Sequence, residues 1–191
     1  MVFVVIQGLG YLLTSTDPAW YGRLALIPQA VLHGEIWRFA TFLALPITSS
    51  LIGLIFALMF GYFILNMLES EWGAAKTTIY TFISIVLMCV FAMIFDYPGA
   101  SIAALASTWF LAAATLFPEQ TIQLYMLIPV KMKVLGWLAA VFILWRFAWA
   151  DWIERLFLVV VYLNYFLFFG PALVSRARQW QRRRAFKSRM R

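Results

Sequence analysis

"SSLIGLIFALMFGYFILNMLESEWGAAKTTIYTFISIVLMCVFAMIF", residues 49–95, decides the fold. Two apolar runs, 49–68 and 77–95, flank a short polar centre that carries Glu69, Ser70, Glu71 and Lys76. A helix that crosses a bilayer needs about 20 mainly apolar residues, because its backbone rises about 1.5 Å per residue through roughly 30 Å of hydrocarbon. Each run has that length. The stretch therefore reads as two spanning helices joined by a short polar turn at 69–76.

Working outward, four more apolar segments complete the pattern: about 1–15, 100–117, 132–149 and 155–173. The expected fold class is an all-α membrane protein, a bundle of six transmembrane helices. The first segment is short, and it lacks the basic head and small-residue cleavage site of a secretory signal peptide. Residues 16–48 are too apolar for a solvated loop and are interrupted by Pro28, Gly34 and Pro46. They read as short amphipathic pieces lying in the interface, anchored by Trp20, Tyr21 and Trp37.

Composition agrees. The chain of 191 residues is 64% hydrophobic and 12% charged, with a mean hydropathy of +0.87. Soluble domains sit near 45–50% apolar and about 25% charged. More apolar surface is present than a water-soluble core of this size buries. The single cysteine, Cys89, lies inside an apolar run and has no partner for an internal disulfide.

The formal charge of +7 is concentrated at one end. Residues 176–191, "RARQWQRRRAFKSRMR", hold eight Lys/Arg and no acid, whereas the preceding chain is close to neutral. Next to a span, such a tail reads as a topology signal and an anionic-lipid contact, centred on Arg182, Arg183 and Arg184, rather than as a nucleic-acid arm. With six spans, both termini fall on the cytoplasmic side together with Lys76, Lys131 and Lys133. Arg23, Arg38, Arg146 and Arg155 fall on the outer side, as does the long first loop. Basic residues thus number eleven inside and four outside, which obeys the positive-inside rule. The domain reading is a membrane domain at 1–175 and a basic cytoplasmic tail at 176–191. No P-loop, no dinucleotide-binding glycine pattern and no Cys/His metal spacing occurs, so neither cofactor nor metal is expected.

Four stretches then become specific. "GEIWRFATFLALP" (34–46) carries Trp37-Arg38. "MLESEWGAAKTTIY" (67–80) carries Glu69 and, four residues on, Gly73; a continuing helix would put the two on one face, where Gly73 would let a neighbouring backbone approach closely. "GASI" (99–102) carries Gly99 and Ser101 at the start of the fourth segment, and "YLNYFLFFGPAL" (162–173) opens with Tyr162 and Asn164. In this order the chain resembles the rhomboid superfamily, including its derlin-like members, over nearly its whole length. The resemblance implies a six-helix core with a long first loop. It also implies a structural Trp-Arg pair, a Glu69 clamp in the inner loops and a nucleophile position at Ser101.

The resemblance also implies what is missing. The sixth helix of the proteases supplies a histidine base and spaced glycines, and this chain has Tyr162 at that position and "NYFLFF" after it, whose bulky Tyr165, Phe166 and Phe168 would keep helices four and six apart or fill the site. A phenol with a pKa of about 10 stays protonated at neutral pH, and the amide of Asn164 has no basic site. Ile102 replaces the glycine that follows the serine. The lone histidine, His33, lies in the first loop on the same face as Ser101, and a dyad between the two would be unorthodox. Ser101 also has a plain reading as a helix N-cap.

The expected function is a non-catalytic rhomboid-like pseudoprotease that binds transmembrane segments of client proteins. The alternatives are a serine protease using Ser101 with an unorthodox base, and a channel or transporter subunit. The expected partners are the lipid bilayer, anionic lipid at the tail and client helices; the oligomeric state is open. Asn164, if it faces the core, is the best candidate for an interhelical hydrogen bond, most simply to a neighbouring helix of the same chain.

Overall fold

The computed structural model describes residues 2–98, 100–124 and 128–169. It is mostly helical. The order is α1 (Val2–Thr16), three short helices α2 (Ala19–Leu24), α3 (Pro28–Leu32) and α4 (Arg38–Thr41), and a 3-10 turn (Phe42–Ala44). The long α5 (Leu51–Phe95), α6 (Ile102–Leu116), a two-stranded hairpin of β1 (Thr121–Leu124) and β2 (Ile128–Lys131), and α7 (Met132–Trp149) follow. The last described helix is α8 (Trp152–Phe169). Three of these helices, α5, α7 and α8, are long and apolar enough to cross a membrane, as an all-α membrane protein requires. The antiparallel hairpin, with Thr121 opposite Lys131, was not anticipated from sequence.

α5 is a folded hairpin. Gly73 breaks it with φ 76° and ψ 159°, a region that essentially only glycine occupies. The limbs are 51–72 and 74–95. Their contacts prove the fold-back. Phe60 of the first limb lies 5.7 Å from Phe110, and Thr81 of the second accepts a hydrogen bond from the Trp109 indole at 3.1 Å. In a straight helix those two positions would stand about 30 Å apart, yet they meet neighbouring residues of α6. The expected polar turn at 69–76 is thus a single-residue break, with helix on both sides.

Gly73 also corrects an expectation. A continuing helix would stack it on Glu69 and let a neighbouring backbone approach. Instead the helix does not continue, and a Cβ at Gly73 would meet nothing within 4 Å. The glycine is needed for its backbone angles. Close approach occurs at other glycines. A Cβ on Gly10 would overlap the Ala44 carbonyl of the 3-10 turn, and one on Gly136 would come within 2.8 Å of the Ala114 methyl. These contacts seat α1 on the first loop and α7 on α6.

Caps and ties hold the ends. Ser50 accepts from the Gly53 amide at 3.4 Å at the start of α5. Asp96 ends α5 in the left-handed region (φ 48°) and accepts a bond from Gln29 of α3 at 2.9 Å. The first loop is therefore tied to the end of the α5 hairpin. The core runs between α5, α6 and α8, with Leu68, Tyr80, Met88, Ala92, Ala112 and Ala113 fully buried. Trp72, beside the break, packs on Tyr80 at 5.5 Å and on Phe169 of α8 at 5.2 Å. α7 is the peripheral member: 6% of its span is buried, against 33% for α8.

Candidate functional site

Ser101 is the N-cap residue of α6 by backbone (φ −142°, ψ 152°), but its side chain makes no cap hydrogen bond and is half-buried. Among the described residues no base stands against it. His33 is exposed, and its Nδ1 lies 2.7 Å from the Gln29 carbonyl one turn back. The alternative of an unorthodox Ser101–His33 dyad thus finds no bond between the two among the described residues.

The Tyr162 hydroxyl goes elsewhere. It lies 2.8 Å from Ser107 Oγ, nearly two turns deeper in α6 than Ser101. Three residues along α8, Tyr165 meets Thr115 at 2.6 Å. Asn164, fully buried, donates to the Tyr80 carbonyl at 2.8 Å and to Ser84 Oγ at 2.7 Å, both on the second limb of α5. Tyr80 in turn donates to the Thr108 carbonyl at 3.3 Å. The bulky residues of "NYFLFF" do not hold α8 away from α6. Tyr165 turns inward and bonds, whereas Phe166 is 59% exposed and points out of the core. Asn164 Oδ1 is buried without a partner among the described residues.

An apolar groove of about 450 Å³ lies beside this ladder. Ala140, Ile143, Leu144 and Phe147 of α7 form one wall, Leu158, Val159 and Phe166 of α8 the other, and Leu111 of α6 joins them. Tyr162 and Tyr165 also line it. Its volume lies within the usual range of ligand pockets, about 300–1,000 Å³. It offers an apolar lateral cleft and no nucleophile–base pair.

The Trp-Arg pair divides its roles. Trp37 is exposed, whereas Arg38 is buried. The Arg38 guanidinium donates to the Gly22 and Ala25 carbonyls, each at 2.7 Å, and pairs with Glu35 at 2.6 Å through both Nε and Nη2. A fork of this geometry closes α2 onto α4, which a point charge could not do. Glu69 is different. The resemblance implied a clamp, but the carboxylate is exposed and makes no hydrogen bond or ion pair among the described residues. Gly99 and Arg182, Arg183 and Arg184 lie outside the described residues.

Two features escaped sequence reasoning. Gln7 is fully buried in α1 and donates to the Leu43 and Leu45 carbonyls at 2.6 and 2.9 Å, fastening α1 to the end of the first loop. A lone glutamine inside an apolar run was the available signal. The second is Glu119, which accepts from Lys131 at 2.7 Å and Lys133 at 2.8 Å and closes the β hairpin. Those two lysines hold its carboxyl down at about 2.

Comparison of the chain with protein-family models, with curated proteins and with solved structures finds no match.

Proposed function

We propose that the chain is a six-span, rhomboid-like pseudoprotease whose groove between α6, α7 and α8 receives a transmembrane segment of a client protein. The observation that carries this reading is the engagement of Tyr162. At the position where the resemblance implies a catalytic base, a phenol is committed to Ser107 and lines an apolar lateral groove. The two limbs of α5, with α1, α6, α7 and α8, supply six crossings. The basic residues then favour cytoplasmic termini and an outer first loop.

Helix length supports a second element of client handling. α1 and α6 have 15 residues each, about 22 Å of helix against roughly 30 Å of hydrocarbon. Helices this short draw the bilayer thinner around them. A thinned bilayer lowers the cost of moving polar parts of a client at the groove.

The test has two arms. In nanodiscs, a photoreactive amino acid at Ile143 or Phe166 should crosslink to client transmembrane segments, and one at Val90 or Ile52, away from the groove, should not. A fluorescent serine-hydrolase probe should label wild type and Ser101→Ala alike. Labelling lost in Ser101→Ala would replace the pseudoprotease reading with a serine hydrolase; labelling lost in His33→Ala too would name its base.

A further inference from the structure

A second cleft, of about 490 Å³, opens between α1 and the second limb of α5. It does not share the groove above. Its polar residues gather at one end. Glu69 lies four residues before the Gly73 break, and Thr77, Thr78 and Thr81 follow within eight residues after it. The opposite end is apolar, built from Ile85 of α5, Ile102 and Leu105 of α6, Ile6 of α1 and Leu43 of the first loop. Ile85 stands about 18 Å along the helix from the break. Trp109 closes the floor, with Phe3 of α1 edge-on to it at 5.4 Å.

The carboxylate decides the ligand class. Glu69 is the one acid lining the cleft, and among the described residues it has neither an ion-pair partner nor a hydrogen bond. The threonines add hydroxyl groups, while Leu65 and Phe82 continue the apolar wall. An alkyl chain fits the apolar end of a cleft of this volume.

We propose that this cleft binds a single-chain amphiphile with an ammonium head. The head sits at Glu69 and the threonines, and the alkyl tail runs between Ile85, Ile102 and Leu105. The charge complementarity excludes fatty acids, whose carboxylate would face Glu69, and ranks a neutral alcohol between acid and amine. Access is lateral from the bilayer, because Thr78 and Phe82 are exposed on the open side. The proposal stands apart from the client-binding reading: it needs a membrane-embedded chain but no catalytic ancestry.

The experiment uses the full chain in phosphatidylcholine nanodiscs with three photoreactive probes of equal tail length, a C16 amine, alcohol and acid, each carrying a diazirine near the tail end. Labelled peptides are mapped by mass spectrometry. The amine should label around Ile85, Ile102 and Leu105, and should compete about fivefold better than the alcohol, the ratio expected of an exposed charge pair worth about 1 kcal/mol. Glu69→Gln should erase that preference while leaving alcohol labelling unchanged. Leu105→Trp should block the amine and the alcohol, with folding checked by thermal unfolding. Competition by phosphatidylethanolamine as strong as by the free amine would assign the site to a bilayer lipid's head and overturn the single-chain occupant. Amine preference that persists in Glu69→Gln, or labelling dispersed over α7 and α8, would overturn the site itself.

Discussion

Replacing Gly73 with alanine isolates one physical cause. The backbone there has φ 76° and ψ 159°, and a Cβ would touch nothing within 4 Å. Any destabilisation therefore comes from the dihedral angles alone. Holding a residue with a Cβ in this region costs about 1–3 kcal/mol. Alanine also narrows the unfolded ensemble relative to glycine by about 0.4–1 kcal/mol, which here adds to the native state's favour. The net loss is about 1–2 kcal/mol. For a chain of this size that lowers Tm by roughly 2–8 °C.

The chain cannot escape by straightening. Forty-five residues of unbroken helix would extend about 67 Å, more than twice the hydrocarbon thickness. Straightening would also abandon the contacts of Phe60 and Thr81 with α6. Two readouts check the reasoning. Reversible unfolding in detergent, followed by circular dichroism, gives the stability. Spin labels at the exposed positions Met59 and Phe82 report the fold-back, with a distance well below the roughly 35 Å of a straight helix in both wild type and Gly73→Ala. D-alanine at 73, whose mirror-image preference favours positive φ, should recover most of the loss. A Gly73→Ala protein as stable as wild type within about 0.5 kcal/mol would refute the argument, as would a label distance near the straight-helix value.

Other substitutions probe the remaining ties. Gly10→Ala drives a methyl into the Ala44 carbonyl and should cost about 1–3 kcal/mol by overpacking, with α1 losing hydrogen-exchange protection first. Arg38→Lys keeps the charge but cannot reproduce the fork to Gly22, Ala25 and Glu35; it should cost about 1–3 kcal/mol and speed limited proteolysis within 16–48. Glu119 titrates at about 2, below the ordinary glutamate value of about 4.3. Its depressed value means that its ion pairs help the hairpin above about pH 4.3, and that this help is lost as pH falls through about 2. Carboxyl NMR titration should show that low value, and Lys131→Gln with Lys133→Gln should return it toward 4.3.

Most of the helical layout was legible from apolar run lengths. The segment at 132–149 coincides with α7, and 16–48 forms short helices as its proline and glycine breaks suggest. What run length could not show is where a helix stops. Glu69, Ser70 and Glu71 look like a turn by polarity, yet all remain helical, because exposed positions on a helix tolerate charge and only Gly73 needs a different backbone. The sixth run was placed to start at 155, but the helix begins at Trp152. Arg155 bonds the Ala148 carbonyl at 3.0 Å and Arg146 pairs with Glu154 at 2.6 Å, so the α7–α8 corner is tied by a hydrogen bond and an ion pair that apolar counting ignores. Run length left open whether Asn164 faces the core; it is fully buried, and α5 supplies its bond. The commitment of Tyr162 to Ser107 rather than Ser101 was not readable. It depends on helix depth and rotation, which pairwise motif positions do not encode.

The distribution of polar bonds decides which wall of the α6–α7–α8 groove can move. α8 is held along its length: Tyr162 and Tyr165 bond α6, and Asn164 bonds α5. Hydrogen bonds of this kind between membrane helices contribute about 0.6–2 kcal/mol each, so displacing α8 would break several together. α7 faces the opposite balance. Its span is 6% buried, its close contact with α6 is at Gly136 near one end, and its ion pair with Glu154 is at the other. Between those ends only apolar side chains meet the groove, and lipid can replace such contacts at little cost because acyl chains are as apolar as leucine. On the proposed client-binding reading, a helix that enters the groove would therefore displace the middle of α7 while α8 and its tyrosines stay in place.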